Sequence, residues 1–501
     1  MNKKEILRVL LVLFFSSQLY ANDILEKVGT YEYDLNNSLS LKQVINNVLE
    51  NSLKAKSVLY QIPQKDSDKL KYNTQFSPYV ALQHQQYILN NKEPKLAAFI
   101  ENNTGFSQHT LVTGKKFETE TELGFGVSKS DIYGLKSNYA STANDPMTFF
   151  SIKQSLLKNG FGINNSNTKK ILDNQCISQK NNSLNQVALV VSEAIVSYWD
   201  VVERYRLYKN EELKEQAYLK IRKVLKSNVN IGLVEEDSLH QYNALILSSS
   251  SKKEINRNAY EESLAKLAIL INKPLQDPNN MKLAGLDEVI ATFNFKEYLE
   301  KAFKNRADHK NILLAINSLK LKRKIIKNES LPDMTLKYQL TNIPDGGGML
   351  NPGSLLHNME FGVSYLLDNK KNEIETRDGN YQLAQLELQK MQLQQEIEYE
   401  IKNIIGKIDV FYSSYQKARE ARKEASIYFN LLIKKLKQGR LNSVQLTDAV
   451  DMMINVRKFE TTMLLSYNKL LLQLKLATNT LFESYNIDIN TYLEAIILEE
   501  K

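Results

Sequence analysis

Cysteine is almost absent: Cys176 is the only one in 501 residues. A disulfide framework is excluded, and no cysteine near the N-terminus can carry a lipid anchor. Cys176 lies inside a helical pattern and reads as a small core residue. Proline and glycine are also scarce, at 9 and 18. So few breakers favour long uninterrupted helices. No segment after the N-terminal one approaches the ~18 apolar residues that a transmembrane helix requires. If the exported chain enters a membrane, it must do so as a β-barrel. The five histidines, His84, His109, His240, His309 and His357, fall in different predicted elements without metal-ligand spacing. There is no phosphate loop, nucleophile elbow or Cys–His pair. Asp345-Gly346-Gly347-Gly348 has no helix after it and reads as a turn. No enzyme, cofactor or metal is expected. The net charge is +8, but its basic residues are mixed with acids along helices. That is a solvated helix surface, and nucleic acid is not expected as a partner.

What is present begins with a secretory pattern. Lys3, Lys4 and Arg8 precede the apolar run Val9–Phe15, and Ser16 to Ala21 offers a cleavage region. Helix is expected over 39–60 with Ser40 as N-cap, a break or kink at Pro63, and helix again from Asp66 to about Gln75. Strands are expected at Tyr79–Leu89, 117–127 and 147–157, with 90–116 irregular and 134–146 a loop. In 147–157, Phe150, Ile152 and Leu156 alternate with Ser151, Lys153 and Ser155, the period of a strand with one apolar face. Gly160-Phe161-Gly162 then ends the strand. A helical pattern follows from Ile163 to about Asn230, roughly 100 Å at 1.5 Å per residue. Val187, Val191, Ala194, Tyr198, Val201, Tyr205 and Tyr208 form a heptad seam within it. Gly232 interrupts the pattern, and Glu235-Glu236-Asp237-Ser238 opens a returning helix that ends near Asn272-Lys273-Pro274.

The chain then repeats itself. Leu39, Leu41, Val44, Ile45, Val48, Leu49 and Asn51 recur as Phe293, Phe295, Tyr298, Leu299, Ala302, Phe303 and Asn305, at an offset of 254. Pro78 recurs as Pro332. Met334, Leu336, Tyr338 and Leu340 alternate with polar residues, as do Met359, Phe361, Val363, Tyr365 and Leu367. A second long helix starts near Glu373. Gly232 recurs as Gly439 at an offset of only 207, so the first half carries a longer strand region. Such self-similarity marks a duplicated architecture. The expected divisions are a signal over 1–21, a first repeat over 22–280, a second over 281–482 and a tail over 483–501. Tyr79, Tyr133 and Tyr365, near strand ends, suit either an aromatic girdle or ordinary strand propensity. Trp199 reads as packing.

Leu39–Ser52, the segment Ser155–Gly162 and the turns at Gly232–Leu239 and Gly439–Ala449 together resemble the TolC-type outer-membrane efflux family. The resemblance covers nearly all of the exported chain. It implies a mainly α fold with a small β part. Duplicated long α-hairpins would form a periplasmic α-barrel, topped by a transmembrane β-barrel shared by three protomers. Four strands per protomer would close a twelve-stranded barrel. The activity implied is passive export through an outer-membrane duct, by efflux or type I secretion. The implied partners are two further copies in a homotrimer, outer-membrane lipid, a periplasmic membrane-fusion adaptor, and an inner-membrane pump or ABC exporter. The hairpin turns, Gly232 and Gly439, would lie at the periplasmic tip. The gate would follow them, with Asp448 at an acidic gate position and Arg440 in the turn. Gln445 stands where another acid is usual, and Ser238 near where Asp is frequent; Glu236 and Asp237 are the neighbouring substitutes. Residues 91–146 exceed the plain two-strand excursion and are expected to enlarge the extracellular part. A competing reading is a periplasmic coiled-coil adaptor or scaffold without a pore.

Overall fold

The computed structural model describes residues 41–90, 100–135, 146–230, 232, 235–274, 286, 293–343, 353–368, 370–437, 443–489 and 491–492. The expected signal, the Ser40 cap, the glycines at 346–348 and the turn residues Gly439 and Arg440 lie outside them.

The duplication is visible in the elements themselves. Helix α1 (Leu41–Asn51) of the first repeat matches α6 (Phe295–Asn305) of the second, 11 residues each. Both have one strongly apolar face, so both dock as amphipathic helices. Helices α2 (Leu53–Leu59) and α3 (Gln61–Thr74) match the single α7 (Ala307–Glu329). Pro63 explains the difference. Its ring conflicts with the carbonyl four residues back, that of Leu59, and α2 stops there. Helix resumes at once at Gln61, earlier than the sequence suggests, because proline is tolerated in a first turn.

Next come two very long helices, α4 (Ile163–Asn230) and α8 (Lys370–Lys437), each 68 residues. The returning helices α5 (Asp237–Ile271) and α9 (Ser443–Ala477) are each 35 residues. The short α10 (Leu481–Ser484) follows. Val187, Val191, Ala194, Tyr198 and Val201 of the predicted seam are fully buried, together with Ile195 and Trp199. They pack on α1, α5 and α9 in one core; α8 packs on α6 and α9 in a second. Met452 and Phe459, although spaced like the core residues of α9, are half exposed. Near the strands, α3 packs on α4, α4 on α7 and α7 on α8, so α3 and α8 lie at the two ends of this layer. Among the described residues no helix is long and apolar enough to cross a membrane.

The strands form one antiparallel sheet in sequential order: β1 (Tyr79–Asn90), β2 (Ile100–Lys116), β3 (Thr121–Leu135), β4 (Met147–Ser155), β5 (Asp333–Ile343) and β6 (Ser354–Ser364). This corrects two expectations. The described residues form six strands per chain, where the resemblance implies four. Residues 100–116, read as irregular, are a strand, because β2 is paired on both sides and its ladder does not depend on an apolar alternation. Phe117 and Thr119, read as strand, belong to the turn between β2 and β3. There Phe117 and Thr121 bond through N to O at 2.8 Å, and Glu120 takes the left-handed conformation at φ 60.

The repeat offset locates the extra pair. Strand β1 aligns with β5 at an offset of 254, and β4 with β6 at 207. The difference of 47 residues is the length that carries β2 and β3. They are a hairpin inserted between two strands of the first repeat.

Candidate functional site

The sheet has two unlike faces. In-register neighbours place Val80, Leu82, Leu111, Leu123, Phe125, Val127, Phe150, Ile152, Leu336, Tyr338, Leu340, Met359, Phe361 and Val363 on one face. In the single chain Leu82 is 77% exposed, Met359 72% and Phe361 58%. Side chains of this size leave water only if a partner or lipid covers them. The other face carries Gln83, Gln85, Gln108, Thr110, Ser128, Ser151, Gln339, Glu360 and a row of charges, Glu122, Lys153 and Lys337. Gln108 donates to the Ser128 hydroxyl at 2.7 Å. Apolar-out and polar-in alternation is the pattern of a membrane barrel strand. The apolar band runs obliquely to the ladder rows: the row through Val80, Phe125, Phe150 and Leu340 reaches β6 at His357, and the band there continues to Phe361 and Val363, as tilted strands require.

Tyr79 turns to the polar face, so it is no member of an outer girdle. Its ring leans over Gly114 and its hydroxyl donates to Glu122 at 3.0 Å. Tyr365 follows the outward phase of β6 and is exposed. Two of the five histidines do meet: His84 and His109 are in register across β1 and β2, with ring centres 4.5 Å apart. The sequence does not disclose this because β2 was not legible as a strand.

At the far end of the molecule the two hairpins meet. Gly232 has φ +72, the left-handed conformation needed to end α4, and no atom lies within 4 Å of a Cβ placed there. Asp237, the acid in the first turn of α5, accepts from its neighbour's backbone, Ser238 N, at 2.6 Å. Glu236 and Gln445 are exposed, and Asp448 is exposed on the second turn of α9.

A cluster missed in the sequence joins these elements. Tyr218 on α4 and Tyr242 on α5 are buried edge to face, 5.8 Å apart. Tyr242 shares a hydrogen bond with Thr447 on α9 at 3.1 Å. Tyr218 donates to Asp451 at 3.4 Å, and Lys214 pairs with Asp451 at 2.6 Å. Leu446, Ala449 and Val450 bury the same face of α9 against Ile221 and Leu225. Thus α9 turns one face into this core and leaves Asp448 beside it on the open side. Tyrosines at helical spacing look like ordinary core in a sequence; only the docking of α9 on α4 makes their hydroxyls ligands.

Burial pushes the Tyr218 phenol above its usual range, and the Asp451 carboxylate adds to this. Burial likewise raises Tyr242, with Asp448 contributing. A raised phenol favours the folded form only while neutral. The stabilisation is complete below about pH 10, the unfolded value, and is lost as pH climbs past it. Thermal melts from pH 8 to 11.5 are expected to show a falling melting temperature above pH 10, and a shallower fall for Tyr218→Phe. Identical alkaline slopes for the two proteins would detach Tyr218 from this effect.

Among the described residues no group of three or more His, Cys, Asp or Glu is placed to hold a metal ion. No protein-family model matches the chain, and no curated protein matches its sequence. Solved structures do match. The CmeC outer-membrane channel of Campylobacter jejuni aligns over 94% of this chain and 94% of its own, with TM-score 0.59 and 12% identity. The outer-membrane protein VceC of Vibrio cholerae aligns over 87% of this chain and 95% of its own, with TM-score 0.61 and 12% identity. The open state of the MtrE outer-membrane channel of Neisseria gonorrhoeae aligns over 87% and 88%, with TM-score 0.61 and 13% identity. With its long paired α-hairpins and its sheet, this chain has the fold of the TolC-type outer-membrane channels.

Proposed function

We propose that the protein is an outer-membrane exit duct that extends into the periplasm and works passively in a tripartite efflux or type I secretion system. The carrying observation is the six-stranded sheet, apolar on one face and polar on the other, joined directly to helices of about 100 Å. Lipid covers the first face and water fills the second. A single chain leaves β1 and β6 as open edges, which hydrocarbon does not tolerate. A homotrimer closes them. The helical tips, with Gly232 and Gly439 at their turns, are the docking end for a periplasmic adaptor, which connects the duct to an inner-membrane pump or ABC exporter. An adaptor or scaffold would bury both faces of its sheets in soluble domains, and the outward band argues against that.

Asp448 is the leading gate residue, with Gln445 beside it on the second hairpin and Glu236, Asp237 and Ser238 on the first; Arg440 is a further candidate by its place in the sequence. Asp237 has the simpler role of an acid in the first turn of α5, beside the positive end of the helix dipole, worth ~0.3–1 kcal/mol. Three copies of Asp448 around one axis repel one another and attract cations. The test is conductance of the purified protein in planar bilayers with added divalent cations. Wild-type channels should be blocked, and Asp448→Ala should weaken the block with trimer yield unchanged. Unchanged block in intact trimers removes Asp448 from the gate. Recovery of the protein as a soluble periplasmic monomer overturns the duct itself.

A further inference from the structure

The inserted hairpin has a consequence for the bore of the duct, and the inference rests on the trimeric reading above. We propose that β1 of each protomer pairs with β6 of the next, so that three copies close an eighteen-stranded barrel instead of a twelve-stranded one.

Four observations carry this. First, β2 and β3 are not an appendage. They lie between β1 and β4 in one continuous ladder, paired on both sides. Removing them from the barrel wall would break the sheet between β1 and β4. Second, the outward band crosses the insertion: Leu111, Leu123, Phe125 and Val127 continue the row from Phe150 and Ile152 to Val80 and Leu82. Third, the strand directions fit at the seam. β1 leaves the helical end after α3 and β6 returns to it before α8. A β6 beside the next protomer's β1 is therefore antiparallel, like every other pair in the sheet. The two edges are also matched in length, at 11 and 12 residues. Fourth, the helical layer ends in the same places. α3 and α8 are its outer members, and they are the helices attached to β1 and β6. One seam thus runs through both layers.

The size agrees as well. Strands ~4.8 Å apart and tilted ~40° give eighteen of them a circumference of roughly 110 Å, against roughly 75 Å for twelve. Four helices per protomer at 8–10 Å spacing give a ring of roughly 95–120 Å. The eighteen-stranded wall continues the helical wall without a taper. Barrels of this strand number leave an aqueous channel. Part of the inward face of the insertion is small: Gly114, Gly124, Gly126, Ser128 and Ser130 stand there beside Gln108, Thr110, Val112 and Glu122. Tyr79 and Phe149 lean over Gly114 and Gly126. The cargo class this bore fits is bulky solute, beyond what a twelve-stranded exit admits.

The test uses the full chain with Cys176→Ala, so that introduced cysteines are the only ones. Leu82→Cys on β1 is combined in turn with Leu355→Cys, His357→Cys and Met359→Cys on β6, all on the outward face. Trimer formation is measured separately by mass in detergent. The expected result is covalent dimers and trimers on oxidation for at least one pair, and none for Gln83→Cys with Met359→Cys, which point to opposite faces. Strand counting by electron cryomicroscopy in nanodiscs should give eighteen. Trimers that show no cross-link in any pair, or twelve strands, overturn the wide barrel while leaving the trimer standing. Absence of trimers in the cysteine-free parent overturns the trimeric reading instead.

Discussion

Gly162→Ala is expected to abolish trimer accumulation in the outer-membrane fraction, whereas Gly160→Ala, two residues away, is expected to leave it intact. Gly162 has φ +74, and a Cβ there would lie 1.8 Å from the Glu118 carbonyl oxygen and 2.8 Å from the Thr119 Cα. Both are backbone atoms of the turn between β2 and β3, so no side-chain rotation relieves the overlap. That turn is tied down. Asn165 donates to the Glu118 carbonyl at 2.9 Å and to the Glu120 carboxylate at 2.7 Å, and Lys169 pairs with Glu118 at 2.8 Å. The left-handed conformation alone costs an L-residue ~1–2 kcal/mol. Overlap in a packed site adds ~1–3 kcal/mol or more. A loss of about 2–5 kcal/mol is expected. At Gly160 the nearest atom to a new Cβ is the Ser155 carbonyl at 3.9 Å, an ordinary contact. Heat-modifiable trimer bands from both variants check this. A Gly162→Ala protein as stable as Gly160→Ala would show that the turn moves freely and does not anchor the inserted hairpin.

Phe361→Arg is expected to cost ~2–4 kcal/mol in membrane folding where that position lies near mid-bilayer. Ser364→Arg should cost much less. Phe361 is opposite Leu336 on β5, with Met359 and Val363 flanking it on the same outward face. An arginine there meets hydrocarbon. Ser364 has the opposite phase, opposite Asp333, where an arginine meets water and a carboxylate. Urea titration of folding into lipid vesicles separates the two. Equal losses would mean that the strand is not lipid-facing, or that its phase is reversed.

Much of this was legible from the residues because the driving force is periodic. Heptad spacing in α4 predicted Val187, Val191, Ala194, Tyr198 and Val201 as buried, and they are. The period-2 pattern of Phe150 and Ile152, of Met334 to Leu340 and of Met359 to Val363 gave three strands with their faces, since an alternating strand has one way to present an apolar side. Duplication and scarce breakers set the long hairpins. At Gly232 the predicted interruption is observed, with the glycine in the left-handed conformation at φ 72.

The rest depended on partners distant in sequence. Strand β2 is mostly polar on both faces and has no period to read; pairing with β1 and β3 makes it a strand. The meeting of His84 with His109, and of Tyr79 with Gly114 and Glu122, follows from that register alone. At the tip, the family resemblance pointed to the acids after the turns, but the hydroxyls of Tyr218 and Tyr242 find Asp451 and Thr447 only because α9 docks on α4. By itself the sequence determined the long helices, the strands that alternate, the repeat and the apolar faces, because each is a local periodicity that burial rewards. Tertiary structure decided the strand count and the contacts of the hairpin tip, because backbone pairing and side-chain hydrogen bonds between distant segments leave no periodic trace.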